Sequence, residues 1–438
     1  MIAPLLNPVF LLAVGDDGLR RAGLAGPAWL YWAGWLLVFL VVFPGIVAYI
    51  VLAERKLAGR FQDRIGPNRV GPFGLLQPIA DAIKLVTKEN LVPRSADAFV
   101  HLLAPVLLMI SAFLVLAVIP FGVRSTDRDM IPFGLAEAPD EASRWYPGLA
   151  AVDTASGLLY LIAAASLSVL GIFLAGWSSR NKFALIGSMR GVAQLVSYEI
   201  PQVLSLVPVI LWTGSLSLVG IFNAQLDQGW FLFSPPGIAA FVLLVIASIA
   251  EVNRAPFDLP EAESEIIAGY HTEYSGMRFG LFFLAEYLAI FGISCLAVAT
   301  FLGGGTLPGT TWPLGSVDSV ILANVILVGI FGVKVALMIF LVFWVRATLP
   351  RMRVDRLMNF AWKVLIPLCL VNILVAAAWL EVGVRRGQPL LGWLVTLPVL
   401  IVAVAGFVRL SRTEGPAPVL GKATLAQPTP TPTPSRSL

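Results

Sequence analysis

Charged residues are scarce in this sequence. Asp, Glu, Lys and Arg together make up 13% of its 438 residues, whereas they make up about 25% of a typical soluble protein. Hydrophobic residues make up 58%, and the mean hydropathy is +0.85. This shortage of charge excludes a soluble enzyme, a disordered scaffold and a nucleic-acid-binding protein. We therefore expect a polytopic integral membrane protein with an all-α fold, a bundle of transmembrane helices.

Cysteine and histidine are rarer still. The two cysteines, Cys295 and Cys369, lie inside apolar runs, and the only histidines are His101 and His271. These four residues offer neither a disulfide framework nor the spacing of a metal site. We expect no metal site, and no haem or iron–sulfur cluster held by this chain alone. The first residues also lack the basic stretch of a cleaved signal, so we expect Met1 to belong to the mature chain.

Apolar runs predict nine transmembrane helices, because roughly 20 apolar residues are needed to cross a bilayer. They cover residues 29–53, 101–123, 154–177, 191–212, 230–250, 279–302, 319–345, 364–380 and 390–408. We expect Pro235 and Pro236 to shorten the fifth of them. Residues 1–28 are expected to form a segment outside the cell, and residues 29–380 the main membrane domain. Residues 413–438 are rich in Pro and Thr, which predicts a disordered tail.

The distribution of Lys and Arg predicts the orientation of these helices. If the N-terminus lies outside the cell, 22 of the 30 Lys and Arg residues face the cytoplasm and seven face the outside. The remaining one, Lys334, lies within the seventh predicted helix. Cytoplasmic loops carry such an excess of positive charge. The ninth helix, if it spans, places the C-terminus in the cytoplasm.

The segment 53–89 combines basic residues with glycine and proline. It contains Gly-Pro-Asn-Arg-Val-Gly-Pro-Phe-Gly, and at membrane depth such irregular backbone is tolerated only around a cavity or inside protein. From Leu76 to Val86, apolar residues recur at helical spacing, with Asp81 and Lys84 on the opposite face. This pattern predicts an amphipathic helix at the membrane interface. Binding of anionic lipid is the simpler interpretation, although a lipid site needs only charge and not so specific a sequence.

The segment 251–286 is rich in carboxylates and has only Arg254 and Arg278 as bases. Its acidic residues are Glu251, Asp258, Glu261, Glu263, Glu265, Glu273 and Glu286. If the segment is helical from Pro260, several of these glutamates share one face, where neighbouring carboxylates raise each other's pKa. A row of carboxyl groups with unequal pKa values suits a proton relay. A solvated acidic loop is the alternative, which the placement of Glu251 and Glu286 in apolar helices weakens.

Glu199 lies within the fourth predicted helix, two residues before Pro201. A carboxylate at membrane depth indicates a functional site by default. A structural ion pair is the alternative, and Lys334, Arg190 and the Glu251/Glu286 pair are candidate partners. We favour proton transfer.

The segment 344–363 is a basic connector with amphipathic spacing. Anchoring at the cytoplasmic face is its simplest interpretation. A second possibility is that it faces the acidic loop or an acidic partner subunit.

Four segments, 53–89, 184–201, 250–287 and 345–363, resemble the family of the bacterial NADH-quinone oxidoreductase H subunit in respiratory complex I, whose mitochondrial counterpart is the NADH-ubiquinone oxidoreductase chain 1 family. The resemblance covers roughly residues 29–380 and implies eight transmembrane helices, so the ninth is a departure from the family. It also implies a quinone chamber at the junction with the peripheral arm, and a glutamate-lined proton path leading from it.

Carried over to this sequence, the resemblance implies two sets of residues. The quinone chamber would contain Arg55, Arg64, Asp81, Lys84, Arg254, Asp258 and Arg351. The proton path would contain Glu199, Glu251, Glu261, Glu263, Glu265, Glu273 and Glu286, to which we add Lys334. No residue of this chain is expected to be catalytic in the redox step, because the flavin and the iron–sulfur clusters belong, in the family, to partner chains.

The sequence thus predicts a non-redox membrane subunit of a proton-translocating NADH:quinone oxidoreductase in the bacterial inner membrane. Quinone would be its substrate. Its partners would be the lipid bilayer and the other membrane-arm and peripheral-arm subunits of complex I, with no nucleic acid. The equivalent subunit of a membrane-bound hydrogenase is the main alternative. A stand-alone proton-coupled transporter is a third, for which the expected pair of broken helices is not apparent.

Overall fold

Helices account for the regular structure of this chain. The computed structural model describes residues 34, 36–121, 154–260, 268–308, 320–385 and 389–413, and within these ranges it contains helices and no strand. The predicted all-α fold is therefore confirmed. The predicted segment 1–28, the tail beyond residue 413, and Glu261, Glu263 and Glu265 lie outside the described residues.

The helices are numbered here in chain order. They are α1 (Val38–Phe61), α2 (Gln77–Thr87), α3 (Ala98–Ala117), α4 (Gly157–Ser178), α5 (Lys182–Thr213), α6 (Leu218–Gln228), α7 (Pro235–Glu251), α8 (Gly276–Phe301), α9 (Val320–Thr348), α10 (Val354–Arg385) and α11 (Pro389–Thr413). Eight helices of the described ranges are long and apolar enough to cross a membrane, namely all of these except α2, α6 and the shorter apolar α7. The ends of α1 and α9 and the starts of α8 and α10 lie at one side, which we call the basic end.

Helix α5 is longer than the run that predicts it. It begins at Lys182 rather than at residue 191, because the side chain of Asn181 accepts a hydrogen bond from the main-chain N–H of Phe183 at 3.0 Å and caps the helix. The charges of Lys182 and Arg190 conceal this extra length in a search for apolar runs. The helix ends at Gly214, whose φ of 64° is the left-handed conformation that favours glycine.

Helix α7 begins later than predicted. Residues 231–233 form a separate 3-10 turn, and the helix starts at Pro235 after the hydroxyl of Ser234 accepts from the N–H of Gly237 at 3.1 Å. Proline fits this first position because no intrahelical N–H bond is needed there. Helix α6 was not predicted, since its 11 residues are too short to stand out as a membrane span.

Helix α8 occupies the centre of the bundle. In its most apolar stretch, 72% of the residues are buried, against 17% in α11. It packs against α1, α3, α7 and α9, and Phe291 meets Phe43 of α1 with ring centroids 6.0 Å apart. A helix that is apolar on all sides is stable when it is surrounded by others. Glu286 is consequently held in the interior.

Helices α10 and α11 form one edge of the bundle. Helix α10 continues through two π-helical turns, Ala361–Leu365 and Leu380–Arg385, so it is longer than the predicted span 364–380. The ninth predicted helix is present as α11. It packs on α10, with the rings of Trp379 and Trp393 edge to face at 6.1 Å.

Candidate functional site

A buried ion pair joins Arg254 and Glu286. Arg254 follows the end of α7, Glu286 lies in α8, and their exposed fractions are 5% and 7%. The guanidinium Nη2 donates to Glu286 Oε2 at 3.3 Å, and the guanidinium carbon lies 4.4 Å from the centroid of the Tyr287 ring. A buried pair of this kind is stable only when further hydrogen bonds satisfy its charges.

The second oxygen of Glu286 has partners on a short turn. Tyr270 donates its hydroxyl to Oε1 at 2.9 Å, and His271 Nε2 lies 3.5 Å from the same oxygen. Both belong to the 3-10 turn Gly269–His271. This turn approaches α5 closely, because a Cβ on Gly187 would lie 2.7 Å from the Cα of Gly269. Glycine on both sides thus brings the tyrosine and the histidine to the carboxylate.

One face of this pair borders an internal cavity, which we call the carboxylate cavity. It encloses about 730 Å³ between α3, α4, α5, α7 and α8. Most of its wall is apolar, and its principal polar lining residues are Gln202, Glu251, Asn253, Tyr270 and Glu286. The structure therefore brings two of the predicted proton-path glutamates to one internal space.

Glu251 and Glu199 lie close to each other beside this cavity. The amide of Gln202 hydrogen-bonds Glu251, and the charge of Glu199 acts on it electrostatically. Glu251 Oε2 is buried without a hydrogen-bond partner among the described residues. Glu199 accepts a hydrogen bond from the hydroxyl of Ser166 on α4. Three helices thus supply three carboxyl groups, Glu199 from α5, Glu251 from α7 and Glu286 from α8.

A second, more open cavity lies at the basic end, and we call it the arginine cavity. It has a volume of about 1420 Å³ and is lined by α1, α8, α9 and the residue after α7. Its basic lining residues are Arg55, Arg64, Arg254 and Arg346, and aromatic walls come from Phe61, Phe283, Tyr287 and Phe343. Arg254 lines this cavity while it pairs with Glu286, which lines the carboxylate cavity. The ion pair therefore stands between the two cavities.

Glu54 is a site residue that was not predicted. Its buried carboxylate accepts from the hydroxyl of Tyr287 at 2.6 Å and forms an ion pair with Arg346. It lines the arginine cavity beside Arg55. A signal was present in the sequence, because Glu54 is a carboxylate at the end of an apolar run. It was overlooked among the many bases that follow it.

Asp81 and Lys84 lie on α2, beside the arginine cavity rather than among its lining residues. Asp81 accepts from Arg55 Nη1 at 2.7 Å and from Lys84 Nζ at 3.3 Å. Burial alone would raise the pKa of Asp81, but the Arg55 guanidinium and hydrogen bonds from Lys84, Arg55 and Gln77 outweigh it and hold that pKa below its ordinary value. The pair thus connects α2 to α1.

Asp258 and Arg351 meet through the main chain. The guanidinium of Arg351 donates to the main-chain carbonyl of Asp258, and the N–H of Met352 donates to the carbonyl of Pro256 at 3.0 Å. The connector between α9 and α10 is in this way joined to the segment that carries Arg254.

Two other predicted residues lie in different surroundings. Glu273 is in a turn, not on a continuous helix, and its carboxylate accepts from Asn181 Nδ2 at 2.7 Å. The ammonium of Lys334 donates to main-chain carbonyls of Leu302, Gly304 and Thr306 at 2.6, 2.8 and 2.6 Å. Their membership of a proton path stays a prediction. The part of the chain that the structure describes contains no group of three or more metal-ligating side chains.

Comparison with known proteins covers the region that holds both cavities. A family model described as NADH dehydrogenase matches residues 35–377. The chain is 45% identical over 349 residues to the NADH-quinone oxidoreductase H subunit of Leptospira biflexa serovar Patoc, which covers 78% of this chain and 93% of that protein. It is 46% identical over 349 residues to the H subunit of Dehalococcoides mccartyi, covering 78% of this chain and 86% of the relative.

A third relative agrees. The protein of Geobacter metallireducens, the first of its numbered H subunits, is 47% identical over 342 residues, which cover 77% of this chain and 93% of that protein. The family match ends before α11. Its extent, and identities of this size over most of each relative, establish the family. The chain belongs to the family of the NADH-quinone oxidoreductase H subunit, the multi-pass membrane subunit of respiratory complex I.

Proposed function

We propose that this subunit admits quinone into the arginine cavity and couples quinone reduction to proton movement through the carboxylate cavity. The observation that carries the proposal is the Arg254–Glu286 pair. Arg254 lines one cavity and Glu286 the other, and the two side chains are in direct contact. A change of charge in the arginine cavity would therefore act on a carboxyl group of the carboxylate cavity.

The lining of the arginine cavity suits a quinone. Its aromatic walls would hold an apolar ring and tail, and its arginines would stabilise negative charge on the quinone oxygens. Reduction of one quinone consumes two electrons and two protons and yields one quinol. The electrons would come from redox centres of the peripheral-arm subunits, because this chain is proposed to hold none.

The coupling step would be electrostatic. Electrons that reach the quinone add negative charge, which attracts the Arg254 guanidinium and weakens its contact with Glu286. Two unit charges 4 Å apart interact by about 4 kcal/mol at an effective dielectric constant of 20. Partial loss of such a contact is enough to favour uptake of a proton by Glu286. The proton would then pass toward Glu251 and Glu199.

The remaining predicted residues take supporting places in the proposal. Arg55 and Arg64 would line the chamber, with Asp81 and Lys84 fixing Arg55. Asp258 and Arg351 would hold the mouth of the chamber. Glu261, Glu263, Glu265 and Glu273 would form an acidic approach to Glu286. We place the basic end in the cytoplasm, because most Lys and Arg residues of the sequence lie on that side.

The experiment uses Glu286→Gln in the intact complex. Bacterial membranes with this variant should lose NADH:quinone reductase activity by at least ~10-fold, a loss of about 1.4 kcal/mol or more, because the amide cannot take part in proton uptake. NADH:ferricyanide activity, which reports the assembled peripheral arm, should be unchanged.

Glu381→Gln is the matched control. Glu381 lies at the end of α10 and pairs with Arg385 at 3.2 Å on an exposed surface, so both activities should stay at wild-type levels. An assembled Glu286→Gln complex that reduces quinone at the normal rate would refute the proposal.

A further inference from the structure

A second polar cluster lies at the start of α3, and the proposed coupling steps do not use it. His101 is completely buried, with 0% of its surface exposed. Its Nδ1 lies 2.8 Å from Arg278 Nη1. On one face, its ring stacks on Tyr274 with centroids 3.9 Å apart and an angle of 11° between the planes.

The contact with Arg278 fixes the protonation state of His101. A guanidinium can only donate hydrogen bonds and stays charged in proteins. His101 Nδ1 must therefore accept, so the imidazole is neutral and its single ring proton is on Nε2. A protonated imidazole would place an N–H and a second positive charge against Arg278, and this hydrogen bond would be lost.

His101 is connected to Glu286 by direct contacts. Tyr274, on which it stacks, donates its main-chain N–H to the carbonyl of His271 at 3.0 Å. The rings of Tyr274 and His271 both pack edge to face on Phe282, with centroids at 4.8 and 5.2 Å. His271 lies beside Glu286 Oε1. The position of His101 is in this way transmitted to the turn that holds Glu286.

The charges around His101 favour its movement once it is protonated. Arg278 approaches from α8, and Glu273 acts from the turn that precedes α8. Helix α4, the other main neighbour of α3, contains no charged residue. Arg278 would repel an imidazolium and Glu273 would attract it. Burial raises the pKa of the Tyr274 hydroxyl to about 12, so this neighbour stays neutral throughout the physiological range.

We propose that His101 is a positioning residue that holds Tyr270 and His271 against Glu286 while its ring is neutral, and releases them when it is protonated. Imidazole groups titrate between about pH 5 and 8. The site would then be fully assembled at neutral and alkaline pH, and would loosen as the pH falls. The consequence for quinone reduction rests on the proposed function, whereas the movement itself does not.

The first test compares pH profiles of wild type and His101→Gln. The glutamine amide oxygen can accept from Arg278 but does not titrate. For a group that titrates near pH 6.5, the neutral fraction falls about tenfold between pH 7.5 and 5.5. The ratio of NADH:quinone to NADH:ferricyanide activity should fall by up to about this factor in wild type, and should stay flat in His101→Gln. An acid limb that is the same in both would overturn the proposal.

A second variant protects the test against a folding defect. His101→Phe keeps a ring for stacking on Tyr274 but cannot accept from Arg278. We expect a lower activity ratio that no longer depends on pH in this range. A ratio and a pH profile identical to those of wild type would contradict a role for the hydrogen bond.

The second test measures hydrogen–deuterium exchange of the peptide 268–278 in the purified complex, without quinone. After correction for the intrinsic effect of pH, exchange should be faster at pH 6 than at pH 7.5 in wild type and equal at both in His101→Gln. This outcome with a flat activity ratio in wild type would reject the link to quinone reduction and keep the movement. Equal exchange at both pH values in wild type would reject the movement.

Discussion

Two buried cations in this subunit have very different surroundings. Arg254 pairs with a carboxylate, Glu286, and stands between two cavities. Lys334 is 9% exposed, donates to three main-chain carbonyls and lies 4.1 Å from the centroid of the Trp230 ring. The first cation has a partner that can gain a proton, and the second has partners that cannot.

This difference separates a site that can switch from one that can only stabilise. Protonation of Glu286 would abolish its charge and free Arg254, so the pair has two chemically distinct states. The carbonyls around Lys334 close the end of α8, because Leu302 directly follows this helix. A cation at a helix C-terminus stabilises it through its free carbonyls and its dipole. Equal burial therefore does not imply an equal role.

The largest effect is expected from Arg254→Leu. This change leaves the Glu286 charge buried without its cation, which destabilises by about 3–5 kcal/mol. The thermal midpoint of the complex, measured by unfolding in detergent, should fall, and quinone reduction should be lost.

The double variant Arg254→Leu/Glu286→Leu tests whether the two side chains act as a pair. It should regain much of the stability, since apolar residues can replace a buried ion pair, but it should not regain activity. A double variant whose stability loss equals the sum of the two single losses would show that the pair is not an energetic unit.

The next effect, in order of size, concerns Lys334→Met. Loss of the ammonium leaves buried carbonyls unpaired, at about 1–3 kcal/mol for each unsatisfied group. We expect a lower thermal midpoint, with the ratio of protons moved to NADH oxidised unchanged in the complexes that assemble. The exposed Lys88→Met is the control and should affect neither. If Lys334→Met kept its stability and stopped proton movement, Lys334 would belong to the proton path, as the sequence predicts.

The smallest effect is expected from Asp81→Asn, because the Arg55–Asp81 pair is partly exposed. Such pairs contribute about 0.2–1 kcal/mol. The pKa of Asp81 is lowered in the folded protein, so its contribution is present above the unfolded pKa of about 3.9 and is lost as the pH falls through the folded value. The wild-type and Asp81→Asn complexes should therefore differ slightly at pH 7 and converge at strongly acid pH. A difference in thermal midpoint that persists there would contradict the ion pair as its cause.

Much of the fold and part of the site could be predicted from the sequence. Long apolar runs indicate membrane spans whatever their neighbours are, and a carboxylate within such a run is conspicuous. Glu199, Glu251 and Glu286 were found in this way. The structure adds that Glu251 and Glu286 line one cavity, which no spacing along the chain could indicate because they lie on different helices.

The remaining features depend on tertiary contacts. Tyr270 and His271 become partners of Glu286 only because a glycine-rich turn packs closely on α5. Arg346 and Glu54 come together from α9 and α1, nearly 300 positions apart in the sequence. The start of α5 was missed because its first turns contain Lys182 and Arg190. Local pattern therefore predicts which helices exist, but not which of their side chains meet.

The central claim is that carboxyl groups of the carboxylate cavity control chemistry in the arginine cavity. Glu251→Gln tests it most directly, because Glu251 lines the first cavity and not the second. The measurement is NADH:quinone reductase activity together with proton uptake in proteoliposomes, with NADH:ferricyanide activity reporting assembly. We predict loss of quinone reduction and of proton uptake together, by at least ~10-fold, with ferricyanide reduction unchanged. Normal quinone turnover with normal proton uptake in an assembled Glu251→Gln complex would contradict the claim.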